Sequence, residues 1–334
     1  MDFDLTDEQK EIKQVAHELL ASRSPFSKVR EAAESSAYDP ALWQELVELG
    51  WPGIAVSSEH GGQGLGAVEL SVLVEELGYA CAASPYLSTA TAAAVIEATG
   101  TPEQRSKWLP GLVSGEQTAG IGTRELAADA RDAAVIVLID GDDAMLVDAA
   151  DADLDELVSI DATRRFATVS GDGEPLAAGA ADRVRTAIAS ELIGVCQRAL
   201  EMTLEFVKDR KQFGVPVGSF QAVAHRCAQM LLHTESIRSS AYFAAWAADA
   251  DPGRLAEAAA LAAAAAADGG REVTGSAIQA HGGIGFTWEA DVHWLYKRAQ
   301  LDSSLLGGAR RHRAALARIG AERIRSAEGA AAAG

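Results

Sequence analysis

Two short stretches of the chain combine residue types that suit a phosphate-rich ligand. The first reads Asp209-Arg210-Lys211-Gln212-Phe213-Gly214-Val215-Pro216, with Phe220-Gln221 just beyond it. The second starts 70 residues after Asp209 and reads Gln279-Ala280-His281-Gly282-Gly283-Ile284-Gly285-Phe286. An arginine offers five N–H donors in a fixed fork that suits a pyrophosphate, and paired glycines let backbone amides approach phosphate oxygens closely. The two stretches therefore predict a site for an anionic cofactor.

Long amphipathic helices are predicted around these stretches. Val184, Ile188, Leu192 and Val195 begin an apolar stripe at helical spacing. It starts a helix near Ala180, and three more helices are predicted over Phe220–Ala248, Leu255–Ala267 and Ala309–Glu328. Four long helices in succession predict a C-terminal four-helix bundle, to which we assign residues 179–328.

The remainder of the chain is predicted to form a helical domain, residues 1–118, and a small β domain, residues 119–178. Thr6 with Gln9 forms a capping-box pattern, and further helices are predicted at Pro40–Leu49, Ala67–Tyr79 and after Thr101. In the β domain, strands are predicted over Ala133–Ile139, Ala144–Val147 and Arg165–Val169, with Asp148–Asp155 as an acidic linker. The predicted fold class is mainly α.

The composition limits the function classes. The 334 residues carry a formal net charge of −19, which argues against nucleic-acid binding. The opening Met1-Asp2-Phe3-Asp4 lacks the pattern of a signal peptide, and no apolar run approaches the ~20 residues of a membrane span. The three cysteines, Cys81, Cys196 and Cys227, form no CxxC pair, so we expect buried free thiols and a cytoplasmic protein with no membrane contact.

The motifs together resemble the acyl-CoA dehydrogenase family over nearly the whole chain. Besides the two stretches above, the resemblance rests on six segments: Leu5–Gln9, Gly50–Val56, Glu59–Gly64, Glu75–Gly78, Trp108–Leu112 and Gly115-Glu116. It implies a helical N-terminal domain, a β domain and a C-terminal four-helix bundle, with FAD as cofactor. It also implies that one subunit holds the adenosine diphosphate end of its neighbour's FAD. The residues that would do so here are Arg210, Gln212, Phe213, Gln221, Gln279, Gly282 and Gly283.

The chain departs from the family where the flavin ring and the chemistry are expected. Gly122–Asp129 stands where the family has a TEPxAGSD loop, and it lacks both the proline and the Gly-Ser pair. The β domain is tens of residues short and contains no tryptophan. Leu305–Arg310 stands where many members carry their catalytic glutamate, with Leu306 at the position of the base. A leucine cannot abstract a proton.

Other family members place the base on a bundle helix, and we align Asp249 with that position. Asp is one methylene shorter than Glu, and reacting geometry tolerates little displacement. Asp249 also stands at a predicted helix end, where carboxylates are usually solvated. We therefore expect the base to come from a partner and keep Asp249 as the weaker candidate.

These departures make the chain resemble the shortened subunit of the α2β2 steroid-CoA dehydrogenases of sterol-degrading bacteria. That resemblance implies a full-length homologue as partner, an acyl-CoA substrate and an electron-transfer flavoprotein as electron acceptor. Two alternatives stay open: a homomeric enzyme that uses Asp249, and a non-catalytic scaffold subunit. His281 and His293 lack a third ligand at metal-binding spacing, so no metal is expected.

Overall fold

The computed structural model describes residues 4–35 and 37–333, and its N-terminal part is helical. Thr6 caps the first helix through the predicted reciprocal pair: the Gln9 amide donates to Thr6 Oγ1 at 3.2 Å and the Thr6 amide donates to Gln9 Oε1 at 2.9 Å. Met1–Phe3 lie outside the described residues, so the statement about a signal peptide stays an expectation. The helices of this part are α1 Asp7–Arg23, α2 Phe26–Ser35, α3 Pro40–Glu48, α4 Ala67–Ala80, α5 Tyr86–Thr99 and α6 Pro102–Val113.

Two of these helices, α2 and α5, were not predicted. Most side chains of α5 are buried, on all sides of the helix. A helix buried all round shows no apolar stripe, and an apolar stripe is the signal on which a sequence-based assignment depends.

The middle part is a seven-stranded sheet in the order β5-β6-β2-β1-β3-β4-β7. The three predicted strands are confirmed, as β3, β4 and β6. The prediction of a linker over Asp148–Asp155 is wrong in part, because β5 occupies Asp153–Leu157. This strand lies at the edge of the sheet, where charged side chains reach water. The strands are β1 Ala119–Gly122, β2 Ala127–Ala128, β3 Val135–Asp140, β4 Asp143–Asp148, β5 Asp153–Leu157, β6 Phe166–Ser170 and β7 Glu174–Pro175.

The C-terminal part is a bundle of long helices. The third helix of the bundle continues to His281, 14 residues beyond the predicted end at Ala267, and a helix over Val292–Leu305 was missed. The bundle helices are α7 Ala180–Asp209, α8 Gln221–Ala250, α9 Leu255–His281, α10 Val292–Leu305 and α11 Ala309–Ala333, and the strands β8 Lys211–Gln212 and β9 Val215–Pro216 lie between α7 and α8. The predicted helix–sheet–helix architecture is confirmed, while the exact domain boundaries stay a proposal.

Helix α9 lies very close to its neighbours. A Cβ atom built on Gly270 would stand 2.9 Å from Leu192 of α7, and one on Gly269 would stand 2.9 Å from Ile237 of α8. Glycine at these two positions therefore permits an approach that no larger residue allows without displacement.

A buried ion network joins the sheet to the bundle. We call it the junction network and define it as Asp161, Arg164, Glu191, Arg298 and Asp302, all of which are buried. Arg298 donates to Asp161 at 2.7 Å and to Glu191 at 2.8 Å. Arg164 donates to Asp302 at 2.8 Å and also pairs with Glu191.

Pairing of opposite charges explains how this network is tolerated in the core. Burial and the neighbouring Glu191 raise the pKa of Asp302 well above its usual value, and Arg164 and Arg298 oppose that rise. Burial alone would raise the pKa of Asp161, but Arg298, Thr163 and Arg164 together outweigh that effect and the pKa is lowered. Each of the three acidic side chains pairs with at least one of the two arginines, and such pairing is what buried charges require.

None of the helices in the described part of the chain combines the length and apolar character needed to cross a lipid bilayer. All three cysteines are free and buried, as expected.

Candidate functional site

The two motif stretches meet at one end of the bundle. Phe206, in the last turn of α7, stacks on His281, the last residue of α9, with ring centroids 4.5 Å apart. Burial lowers the pKa of His281, which favours the neutral imidazole. Arg210 follows Phe206 by one helical turn, and His281 lies between Gln279 and Gly282. Segments that are 70 residues apart in the sequence are thus neighbours in space.

A small hairpin forms the first half of this site. Lys211 pairs with Pro216 and Gln212 pairs with Val215. The turn between them has positive φ at both central residues, 53° at Phe213 and 82° at Gly214, as a type I′ turn requires. The Phe213 side chain is 94% exposed, which is unusual for a large apolar residue and typical of a surface that another molecule covers.

The polar residues expected to hold the cofactor are accessible. The side chains of Arg210, Gln212, Gln221 and Gln279 are exposed, and no carboxylate of the described residues pairs with the Arg210 guanidinium. Gly282 has φ 63°, and a Cβ atom built on it or on Gly283 would meet nothing within 4 Å. An arginine without a protein partner and an open glycine turn are both features that suit the pyrophosphate of FAD. We call these residues, together with Phe213, the clamp.

The positions expected to meet a flavin ring are already engaged in the fold. Leu306 is only 3% exposed and belongs to the hydrophobic core. Thr123 and Leu126 close a tight backbone turn on each other, at 2.9 and 3.3 Å. The buried Asp129 accepts hydrogen bonds from Ser88, at 2.5 Å, and from Tyr38. These residues therefore offer no catalytic carboxylate of the usual kind.

Asp249 caps another helix. Its Oδ1 accepts from the Ala67 amide at 2.9 Å and its Oδ2 accepts from the Val68 amide at 3.2 Å, both at the start of α4. A carboxylate at a helix N-terminus satisfies free amides and interacts favourably with the helix dipole. It also lines an open groove of about 540 Å³ together with Arg183 and Glu69. Desolvation raises the pKa of this carboxyl, and the two amides oppose the rise.

A second cavity, of about 460 Å³, lies where α9 meets α10. The sequence indicated His293 only as a histidine without the further ligands of a metal site, and the cavity was not predicted. The signal for it was the aromatic content of residues 286–296, which follow the glycine turn. The lining includes Gln279, Phe286, Trp288, His293, Tyr296 and Lys297. No cluster of three metal-ligating side chains occurs among residues 4–35 and 37–333.

Family models match both ends of the chain. The acyl-CoA dehydrogenase N-terminal domain matches residues 6–116, and the acyl-CoA dehydrogenase C-terminal domain matches residues 171–320. The chain belongs to the acyl-CoA dehydrogenase family, whose members are oxidoreductases acting on CH–CH bonds. The resemblance inferred from the motifs is confirmed.

One curated relative and two solved structures are similar to the chain over more than nine-tenths of its length. The chain is 33% identical over 321 residues to acyl-CoA dehydrogenase IpdE2 of Mycobacterium tuberculosis, an alignment that spans 91% of this chain and 94% of the relative. A variant of the Tcur3481–Tcur3483 steroid ACAD superposes with a TM-score of 0.86 and 28% identity, over 96% of this chain and 99% of that one. The ChsE4–ChsE5 complex from Mycobacterium tuberculosis shares the fold, with a TM-score of 0.84 and 24% identity, over 97% and 99% of the two chains.

Proposed function

We propose that this chain is one subunit of an FAD-dependent acyl-CoA dehydrogenase complex. The complex catalyses α,β-dehydrogenation of an acyl-CoA thioester, and this chain holds the adenosine diphosphate end of the flavin. One contrast carries the proposal: the clamp is open and its Arg210 is unpaired, while the position of the usual base is the buried Leu306. A full-length homologue supplies the ring pocket and the catalytic glutamate.

In this arrangement the chain contributes binding and orientation. Arg210 and the amides at Gly282 and Gly283 neutralise the pyrophosphate, and Gln212, Gln221 and Gln279 fix its direction through hydrogen bonds. FAD supplies the hydride acceptor when it is bound. The α-proton goes to the partner's carboxylate, and an electron-transfer flavoprotein then takes the electrons.

Exposed apolar side chains support a hetero-oligomer. Leu231 and Leu232 are 50% and 57% exposed on α8, and Phe213, Phe220 and Ile284 are exposed at or beside the clamp motifs. Large apolar side chains that face solvent are typical of an interaction surface. The similarity to a steroid ACAD made of two chain types supports a steroid side-chain thioester as substrate.

Co-purification tests the assembly. Expressed alone, the chain should be colourless or poorly soluble, because its own ring pocket is incomplete. Co-expressed with a full-length homologue that carries the glutamate, it should give a yellow complex with fewer flavins than chains. One flavin per chain in the protein alone would contradict the proposal and favour a homomeric enzyme that uses Asp249. Absence of flavin from every combination would favour a scaffold subunit.

A further inference from the structure

A small cavity lies where α1, α2, α4 and α7 meet. Its volume is about 210 Å³, below the roughly 300–1,000 Å³ of sites that take drug-sized ligands, so it suits a molecule of only a few carbon atoms. Arg198 lines this cavity and precedes Arg210 by 12 residues of α7, roughly 18 Å along the helix axis. The cavity is therefore separate from the clamp.

Arg198 is held in place while part of its hydrogen-bonding capacity is unused. Its guanidinium carbon lies 5.1 Å from the ring centroid of Tyr79 and 5.6 Å from that of Phe26. Nη1 donates to the Tyr79 hydroxyl at 3.1 Å. Nε and Nη2 have no hydrogen-bond partner among the described residues, and no carboxylate of those residues forms an ion pair with this guanidinium. The Nε–Nη2 edge carries two parallel N–H groups, a spacing that matches the two oxygens of a carboxylate.

Ser24 supplies a second donor in the lining of the same cavity. The residue is only 7% exposed, and its hydroxyl has no hydrogen-bond partner in the described part of the chain. A buried hydroxyl without a partner is costly, and a ligand oxygen would remove that cost. Helix α2 begins two residues later at Phe26, which also lines the cavity, so the positive end of the helix dipole lies beside it. The cavity thus offers several features that favour an anion.

The carboxylates near the cavity already have partners of their own. Glu76 lies 2.8 Å from Nδ1 of His17 and 3.5 Å from Nζ of Lys13. Glu201 accepts a hydrogen bond from the Tyr79 hydroxyl at 2.5 Å. The arginine is thus the cation of this cavity whose charge no carboxylate of the described residues balances. A ligand with two negative charges would be repelled by the nearby Glu76, so a ligand with a single charge fits best.

We propose that this cavity, the Arg198–Ser24 pocket, binds a short-chain monocarboxylate. The carboxylate oxygens take the Nε–Nη2 edge of Arg198 and the hydroxyl of Ser24. The hydrocarbon chain lies against Leu20 and Ala80, which form an apolar wall of the pocket. Each methylene buried there strengthens binding, up to the length that the pocket holds. A neutral alcohol lacks the charge that the guanidinium matches, and inorganic phosphate has no apolar part.

Calorimetric titration with butyrate tests the pocket, using the purified chain or its complex with the partner at constant ionic strength. We expect one saturable site per chain. Butyrate should bind at least about tenfold more tightly than 1-butanol or inorganic phosphate, because a charge-assisted pair is lost in the first and the apolar contact in the second. Acetate should also bind more weakly than butyrate, because it leaves the apolar wall uncovered.

Variants assign the binding to the pocket. Arg198→Met keeps the apolar stem, removes the donors and should weaken butyrate at least about tenfold, whereas Arg198→Lys should recover part of the affinity. Ala21→Phe changes an exposed residue of the lining, so the fold should tolerate it while the added ring fills the pocket and weakens butyrate. As a control, Arg23→Met removes an exposed arginine of α1 that pairs with Glu45 at 2.7 Å outside the pocket, and it should leave butyrate binding unchanged.

Three results would overturn the proposal: no saturable binding of butyrate, equal affinity in Arg198→Met and the unmodified protein, or phosphate bound as tightly as butyrate. Circular dichroism checks that each variant is folded, and Ala21→Phe decides the question if Arg198→Met is not. The titration requires neither flavin nor turnover. A colourless scaffold protein that binds butyrate would therefore refute the proposed function and leave this inference standing.

Discussion

The junction network and the clamp use the same side chain in opposite ways. Arg298 in the junction network is completely buried, and its donors reach Asp161, Glu191 and Thr163. Arg210 in the clamp is exposed and has no carboxylate partner in the described part of the chain. One arginine is satisfied by its own fold, whereas the other has donors available to a molecule from outside.

This difference indicates which region serves stability and which serves binding. Buried charges are tolerated only with partners in place, and every charged member of the junction network has an ion-pair partner within the chain. A binding surface must instead keep donors available, and it shows open glycine turns and exposed aromatic rings. Substitutions in the two regions should therefore affect different measurements.

The largest effect is expected for Arg298→Ala. The substitution leaves the carboxylates of Asp161 and Glu191 buried without one of their counter-charges, and we expect a loss of about 3–5 kcal/mol in the free energy of unfolding. Denaturant unfolding followed by circular dichroism measures this value. As a matched control, Arg323→Ala removes an exposed arginine paired with Glu257 at 2.6 Å, and it should cost about 0–1 kcal/mol. Equal losses for the two variants would show that the network does not stabilise the fold.

A smaller and different effect is expected for Arg210→Ala. The folded chain should keep its unfolding free energy, because this guanidinium lacks a protein partner. Flavin affinity in the complex should fall by about 2–5 kcal/mol, since a phosphate charge loses its bidentate donor. Arg210→Lys should recover only part of that affinity, because a point charge cannot reproduce the fork. Flavin content after gel filtration is the measurement.

The neighbouring Lys211 provides the control for this prediction. Lys211→Ala removes an exposed cation of the same hairpin and should leave flavin content nearly unchanged. If both variants retain flavin equally, the assignment of Arg210 to the clamp is wrong.

The smallest effect is expected for Asp249→Asn. Asparagine is also a good helix cap, so stability should change little, whereas Asp249→Ala should cost about 1 kcal/mol. If the partner supplies the base, turnover of Asp249→Asn stays within a few-fold of the unmodified complex. Single-turnover bleaching of the flavin by substrate isolates the chemical step. Loss of bleaching with flavin still bound would make Asp249 the base and this chain catalytic.

The sequence predicted those elements whose signals are local. The capping box at Thr6 and the Asp140–Asp143 turn between β3 and β4 depend on neighbouring residues, and both were found. Helix α5 was missed because burial on every side removes the periodic pattern. Strand β5 was missed because its acidic residues are acceptable only at a sheet edge, and edge position is a property of the assembled sheet.

For the candidate site, too, the sequence did not reveal features that depend on contacts between distant residues. The residues of the clamp were chosen from motifs, but their convergence depends on the stack of Phe206 on His281, which no spacing rule contains. The role of Asp249 as a cap for α4 was equally invisible, since its partners, Ala67 and Val68, are about 180 residues away. The cavity between α9 and α10 was invisible for the same reason, because it depends on how α10 packs against α9.

The close approach of α9 to α7 at Gly270 also bears on the relative position of the two halves of the clamp, which lie far from that glycine. The two halves of the clamp stand at the ends of these same helices, and Gly270 precedes His281 by 11 residues, roughly 16 Å along the helix axis. A side chain at position 270 would meet Leu192 and act as a wedge between the helices. We therefore expect a larger residue at position 270 to shift the ends of α7 and α9, in which case a ligand's fit at the surface would depend on a residue that it never touches.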